Sequence, residues 1–300
     1  MKLVEPQAKI ALKNILFATD FEVLASRALQ FAVALANRYH AKLYAAHVIP
    51  QTAYAYAHPE SMEQILKEAY DYAGYELNQI VGPLKHRNCP CEALLADGDP
   101  GEVIRALAEN HEADLIVVGT GSREGVGKLF LGSVAEEIIR EAPCAVLTVG
   151  PHVATDPAAG FQSIVCAADF SLLSARVAGL AFLLAQEYNA HLTLVHVVAG
   201  MLKDSPNLAT ELTEYRLREL LPAELELRYE PQMVVERGPV ADRILAVTND
   251  LSADLIVMGA RGAGAFAQTA GHFGSIAHKV VSLAACPVMT VGGRHEHEQN

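Results

Sequence analysis

Two aspartates stand where a short apolar run gives way to a helical pattern: Asp20 in ILFATDF (15–21) and Asp169 in IVCAADF (164–170). A carboxylate at such a turn can accept hydrogen bonds from ribose hydroxyls. It can equally cap the helix or close an Asx turn. A glycine-rich stretch, GTGSREGVGKLFLGS at 119–133, follows another apolar run, and GARGAGAFAQTAGHFGS at 259–275 is a stretched version of it. Each closes on a Gly-Ser pair, Gly132-Ser133 and Gly274-Ser275, just before an apolar helical pattern. Serine caps helices well, so the plain expectation is a helix start with serine as N-cap. The chemical expectation is a phosphate held by unpaired backbone N–H groups and the helix dipole, with glycine allowing close approach.

Better-known motifs do not fit. A Walker A loop needs G-x-x-x-x-G-K followed by Ser or Thr, but around Gly127-Lys128 the first position is Ser122 and the last is Leu129. A dinucleotide fingerprint starting at Gly119 would need glycine where Glu124 stands. No Ser-His-Asp order, H-E-x-x-H, placed general base or metal-binding carboxylate pair is evident, which predicts no catalytic residue and no enzyme, slow ATP hydrolysis excepted. His47 and His196 are expected to pack or make local hydrogen bonds, the HEHEQN end to be a frayed tail, and no metal site is expected.

The elements that must carry these residues occur twice. Asp20 to Asp169 is an offset of 149, as is His47 to His196; ADLIVVG at 113–119 returns as ADLIVMG at 253–259, an offset of 140. APCAVLTVG at 142–150 returns as AACPVMTVG at 284–292, so copy two is shorter in its middle and regains two residues in the glycine-rich loop. Each copy alternates strand and helix. In the first, strands are expected at NILFAT, AKLYAAHVI, CEALLADG, DLIVVG and AVLTVG, with helices at 24–36, 60–81, 100–111 and 133–141. This predicts an α/β fold of two tandem doubly wound domains, each a parallel sheet flanked by helices, binding ligands at the carboxyl ends of the strands. The domains are placed at 1–150 and 161–300, joined by a linker at 151–160.

The bulk composition agrees. Three hundred residues suit about two domains, and 51% hydrophobic against 19% charged residues describes a folded chain. A net charge of −12 without a basic stripe argues against nucleic acid, and no apolar run reaches the ~20 residues of a membrane span. Glu5, Pro6 and Gln7 interrupt any signal-peptide core, so a cytoplasmic protein is expected. The five cysteines form no disulfide or zinc framework, and Cys144, Cys166 and Cys286 lie in apolar contexts.

From ILFATDF to APCAVLTVG, and again from IVCAADF to AACPVMTVG, the chain resembles a universal stress protein, so the whole is similar to tandem members of that family. The resemblance implies five strands per sheet and a dimer, or pairing of the chain's own two halves. It also implies ATP or another adenine nucleotide as partner, with Mg2+, bound through G-x2-G-x9-G-[ST], in a stress-response regulator. Family members lacking that motif do not bind ATP, so the alternative is an interaction module with vestigial pockets. The resemblance carries the motif onto Gly119, Ser122, Gly132, Ser133 and the following Val134, and onto Gly259, Gly262, Gly274 and Ser275. It carries the strand-one aspartate onto Asp20 and Asp169, and the residue whose backbone meets adenine onto Val48 and Val197. Copy one departs at Ser122, where a positive φ would cost roughly 1 kcal/mol relative to glycine. Copy two has two extra residues within 263–273. Copy one is therefore expected to be the better site.

Overall fold

The computed structural model describes residues 10–53, 58–87, 89–120, 131–198, 206–222, 227–261 and 275–292. Described residues 11–120 and 131–149 form one compact unit, and those from 150 onward form another. The first unit runs β1 (Asn14–Ala18), α1 (Val23–Tyr39), β2 (Lys42–Pro50), α2 (Pro59–His86), β3 (Cys91–Gly98), α3 (Pro100–Asn110), β4 (Leu115–Gly119), α4 (Ser133–Glu141) and β5 (Ala145–Val149). The second runs β6 (Ser163–Ala167), α5 (Ser174–Tyr188), β7 (His191–Val198), α6 (Pro206–Arg218), β8 (Gln232–Arg237), α7 (Val240–Asp250), β9 (Leu255–Gly259), α8 (Ser275–Leu283) and β10 (Val288–Val291).

The first sheet has the order β3-β2-β1-β4-β5 and is parallel throughout. The second has the order β10-β9-β6-β7-β8, also parallel. Successive residues of a strand point to opposite faces, yet Ile15, Leu16 and Phe17 of β1 and Leu115, Ile116 and Val117 of β4 are all buried. Both faces are therefore covered, as the continuous apolar runs predict. α2, at 28 residues, runs on past the expected end at 81 and contains Pro83; α6, its counterpart, has 13.

The aspartates of the two ADLIV motifs hold the amino edges. Asp114 Oδ2 accepts from the backbone N–H groups of Lys13 and Asn14 at 2.7 and 3.0 Å. Asp254 Oδ2 accepts from those of Gln162 and Ser163 at 2.8 and 3.0 Å. Backbone geometry repeats as well. Positive φ occurs at Phe21 and Phe170, His40 and Asn189, Glu112 and Ser252, and Gly98 and Gly238. The first two pairs are 149 residues apart and the last two 140, the offsets of the sequence repeat.

Candidate functional site

In each sheet the strand order reverses at one point, and ligands of doubly wound proteins enter there, beyond the carboxyl ends of the strands. In the first sheet the reversal falls between β1 and β4, and in the second between β6 and β9. Asp20 lies two residues past the end of β1, and Gly119 ends β4 beside it. Asp169 and Gly259 hold the equivalent places on β6 and β9.

The neighbouring strand forms a wall. β1 pairs with β2 only as far as Ala18 and Ala46, so residues 47–50 of β2 run on past its end. β6 stops opposite Val195, leaving residues 196–198 of β7 beyond it. Val48 and Val197 belong to these overhangs, and both side chains are buried. Their neighbours His47 and His196 donate from Nδ1–H to the carbonyls of Thr19 and Ala168, each at 2.8 Å. That bond sets the tautomer of a neutral ring. Burial holds the His47 pKa below its ordinary value, against the opposing effects of the Thr19 carbonyl and the Asp20 carboxylate.

The glycines differ in what they do. A Cβ on Gly119 would lie 2.8 Å from the carbonyl carbon and oxygen of Leu24 and 2.9 Å from the Ala25 nitrogen. The first turn of α1 therefore rests directly on Gly119, a packing reason for glycine that no sequence motif states. At Gly259 a Cβ would meet the Arg261 carbonyl oxygen at 3.0 Å and Leu173 Cδ2 at 3.2 Å. Gly132 is open: among the described residues a Cβ there meets nothing within 4 Å.

Gly132, not Ser133, is the N-cap of α4, with φ −58° and ψ 143°, and its carbonyl accepts from the Glu136 N–H at 2.9 Å. Ser133 is already helical and makes no side-chain cap, which corrects the expectation of a serine cap. Among the described residues no side chain from the N-cap takes up the first-turn N–H groups. Val134 follows, 37% exposed. Ser275 opens α8, with its side chain outside the described residues, and Ile276 after it is 38% exposed. Ser122, Gly262, Gly274 and the HEHEQN end lie outside the described residues.

Asp20 is exposed, and through Oδ1 it accepts from the Glu22 N–H at 3.0 Å. Asp169 Oδ1 accepts from the Ser171 N–H at 3.0 Å and from the Ser174 hydroxyl at 2.9 Å. The Asx-turn reading thus holds for both, and a capping hydroxyl is added in the second domain. Sequence reading passed over Ser174 and also Thr120, which follows Gly119. The Thr120 side chain is 3% exposed, and among the described residues its hydroxyl has no hydrogen-bond partner. A buried hydroxyl without a partner is rare enough to mark a place a ligand could satisfy. Its counterpart, 140 residues on, is Ala260. Among the described residues no group of three or more His, Cys, Asp or Glu could hold a metal ion, and no helix is long and apolar enough to cross a membrane.

Two doubly wound domains, each with an aspartate and a strand-end glycine at its switch point, define a tandem α/β protein. The model of the universal stress protein family matches residues 11–150 and 160–292, and the chain belongs to that family. It is similar to a universal stress protein of Synechocystis, 33% identical over 148 residues that make up 45% of this chain and 96% of that protein. It is also similar to one of Thermus aquaticus, 35% identical over 140 residues, 46% of this chain and 98% of that protein. Across both domains its fold is like that of a universal stress protein from Archaeoglobus fulgidus, with a TM-score of 0.69, 21% identity, and 95% and 97% of the two chains covered.

Proposed function

We propose that this chain is a stress-response regulator that binds ATP or another adenine nucleotide at the carboxyl edge of its sheets, the first domain providing the better site. The observation that carries the reading is the exposed Asp20 carboxylate standing at the switch point beside the Gly119 strand end, with the buried Thr120 hydroxyl, which has no hydrogen-bond partner among the described residues, next in the chain. The residues suit the group. Asp20 would accept from ribose hydroxyls, and the β2 overhang at Val48 offers backbone to the base. The N–H groups of Ser133 and Val134, with Gly132 open before them, would meet phosphate. A bound nucleotide, with Mg2+, supplies a charge and shape that a partner protein can read. The reading includes two domains, 1–150 and 161–300, with a linker at 151–160, in a cytoplasmic protein without a catalytic role.

Acid extraction of the purified protein should release adenine nucleotide, and calorimetry with ATP, ADP and AMP should show binding that Gly132→Asp removes, since a carboxylate there repels phosphate. A folded protein that neither carries nor takes up any of the three would sink the proposal.

A further inference from the structure

The two domains treat the same carboxylate differently. In the second, Ser174 is the first residue of α5, is 3% exposed, and is bonded twice to Asp169: its hydroxyl donates to Oδ1 at 2.9 Å and accepts from the Asp169 N–H at 3.3 Å. The Ser171 N–H adds a second donor to the same oxygen, and the Ser171 hydroxyl lies 3.4 Å from that of Ser174. In the first domain the position 149 residues earlier is Ala25, also buried, and Ser171 is replaced by Glu22. No hydroxyl reaches Asp20 among the described residues; its carboxylate accepts from one backbone N–H and is exposed. The next polar group of the site follows suit, with Thr120 in the first domain and Ala260 in the second.

We propose that the Ser174 hydroxyl occupies the Asp169 carboxylate in place of a ligand hydroxyl, so that the chain takes one adenine nucleotide, at Asp20, and keeps its second domain self-closed. This rests on the nucleotide reading above. A ribose diol entering the second domain must displace a part-buried hydrogen bond to a charged group before it gains its own. That difference corresponds to about tenfold or more in affinity.

Calorimetric titration of ATP into the full-length chain tests this. Wild type should bind one ATP per chain. Ser174→Ala should add a second, weaker site, and Ala25→Ser should weaken the first by about tenfold. Two equivalent sites in wild type, or a stoichiometry of one that Ser174→Ala leaves unchanged, overturns the proposal. Binding by neither protein overturns the nucleotide reading instead, and a thermal-unfolding cycle then decides the bond by itself. If Ser174 is bound to the Asp169 carboxylate, the Ser174→Ala/Asp169→Ala double variant loses less in Tm than the two single variants summed; strictly additive losses in Tm refute the lock.

Discussion

The ring of Phe21 stacks on that of His47 with centroids 4.2 Å apart, and Phe170 and His196 repeat the contact at 4.5 Å. Each phenylalanine directly follows the site aspartate and has a left-handed backbone, with φ 65° and 59°. The stack thus holds the aspartate turn in a conformation that phenylalanine alone disfavours. Phe21→Ala loses the ring and keeps the backbone penalty, whereas Phe21→Gly loses the ring and relieves the penalty. Chemical denaturation should find both variants less stable than wild type, with alanine worse than glycine by about 1 kcal/mol. Equal losses would mean the left-handed turn is not strained.

The half-buried His47 gives a pH dependence with a definite sign. Its folded pKa lies below the ordinary His value of about 6.5 because burial disfavours the charged ring. The unfolded chain therefore binds more protons in that range, and stability rises with pH. The contribution is fully present above the unfolded value and is lost as the pH falls through the lower folded pKa. Melting curves from pH 7.5 to 5 should converge for wild type and His47→Gln at the acid end. Parallel curves would refute the linkage.

The glycines at the two ends of the loop should respond oppositely. Gly119→Ala drives a Cβ into the α1 backbone at Leu24 and should lose about 1–3 kcal/mol of stability. Gly132→Asp puts a good N-cap, and a negative charge at the positive end of the dipole, into open space; it should gain about 0.5–1 kcal/mol. The variant that abolishes nucleotide binding is then more stable than wild type, which separates the site from the fold. Denaturant midpoints beside calorimetry give the comparison.

Burial pushes the thiols of Cys166 and Cys286 up to about 12. Reaction proceeds through the thiolate, so neither should be labelled by a disulfide reagent on native protein at pH 8. Peptide mapping should find label on the half-exposed Cys91 and Cys144 first, and on all five only after unfolding.

The sheet was legible because short continuous apolar runs and their repeat depend on local sequence alone. β3 and α4 fall where the pattern puts them. α2 did not, because a proline at 83 reads as a stop, yet the helix runs to His86. At the site, the aspartates and the Gly-Ser pairs stood out by their position between patterns. The reason for Gly119 did not, because its partner is a backbone more than ninety residues away. Nor did Ser174: its reach back to Asp169 crosses five residues through a left-handed phenylalanine, and no periodicity marks such a path. The cap of α4 was misread by one residue because serine's general preference outweighed the open backbone of Gly132.

His40 and Asn189 end α1 and α5 with the same left-handed backbone, φ 53° and 52°, and Glu112 and Ser252 do so after α3 and α7 with φ 48° and 46°. Different side chains thus sit on one conformation twice within a single molecule. Each domain is a calibrated host for the other's residues, at identical temperature, solvent and concentration. A transplant such as His40→Asn and its mirror Asn189→His cancel in intrinsic preference, and whatever stability difference survives the exchange measures the surroundings alone.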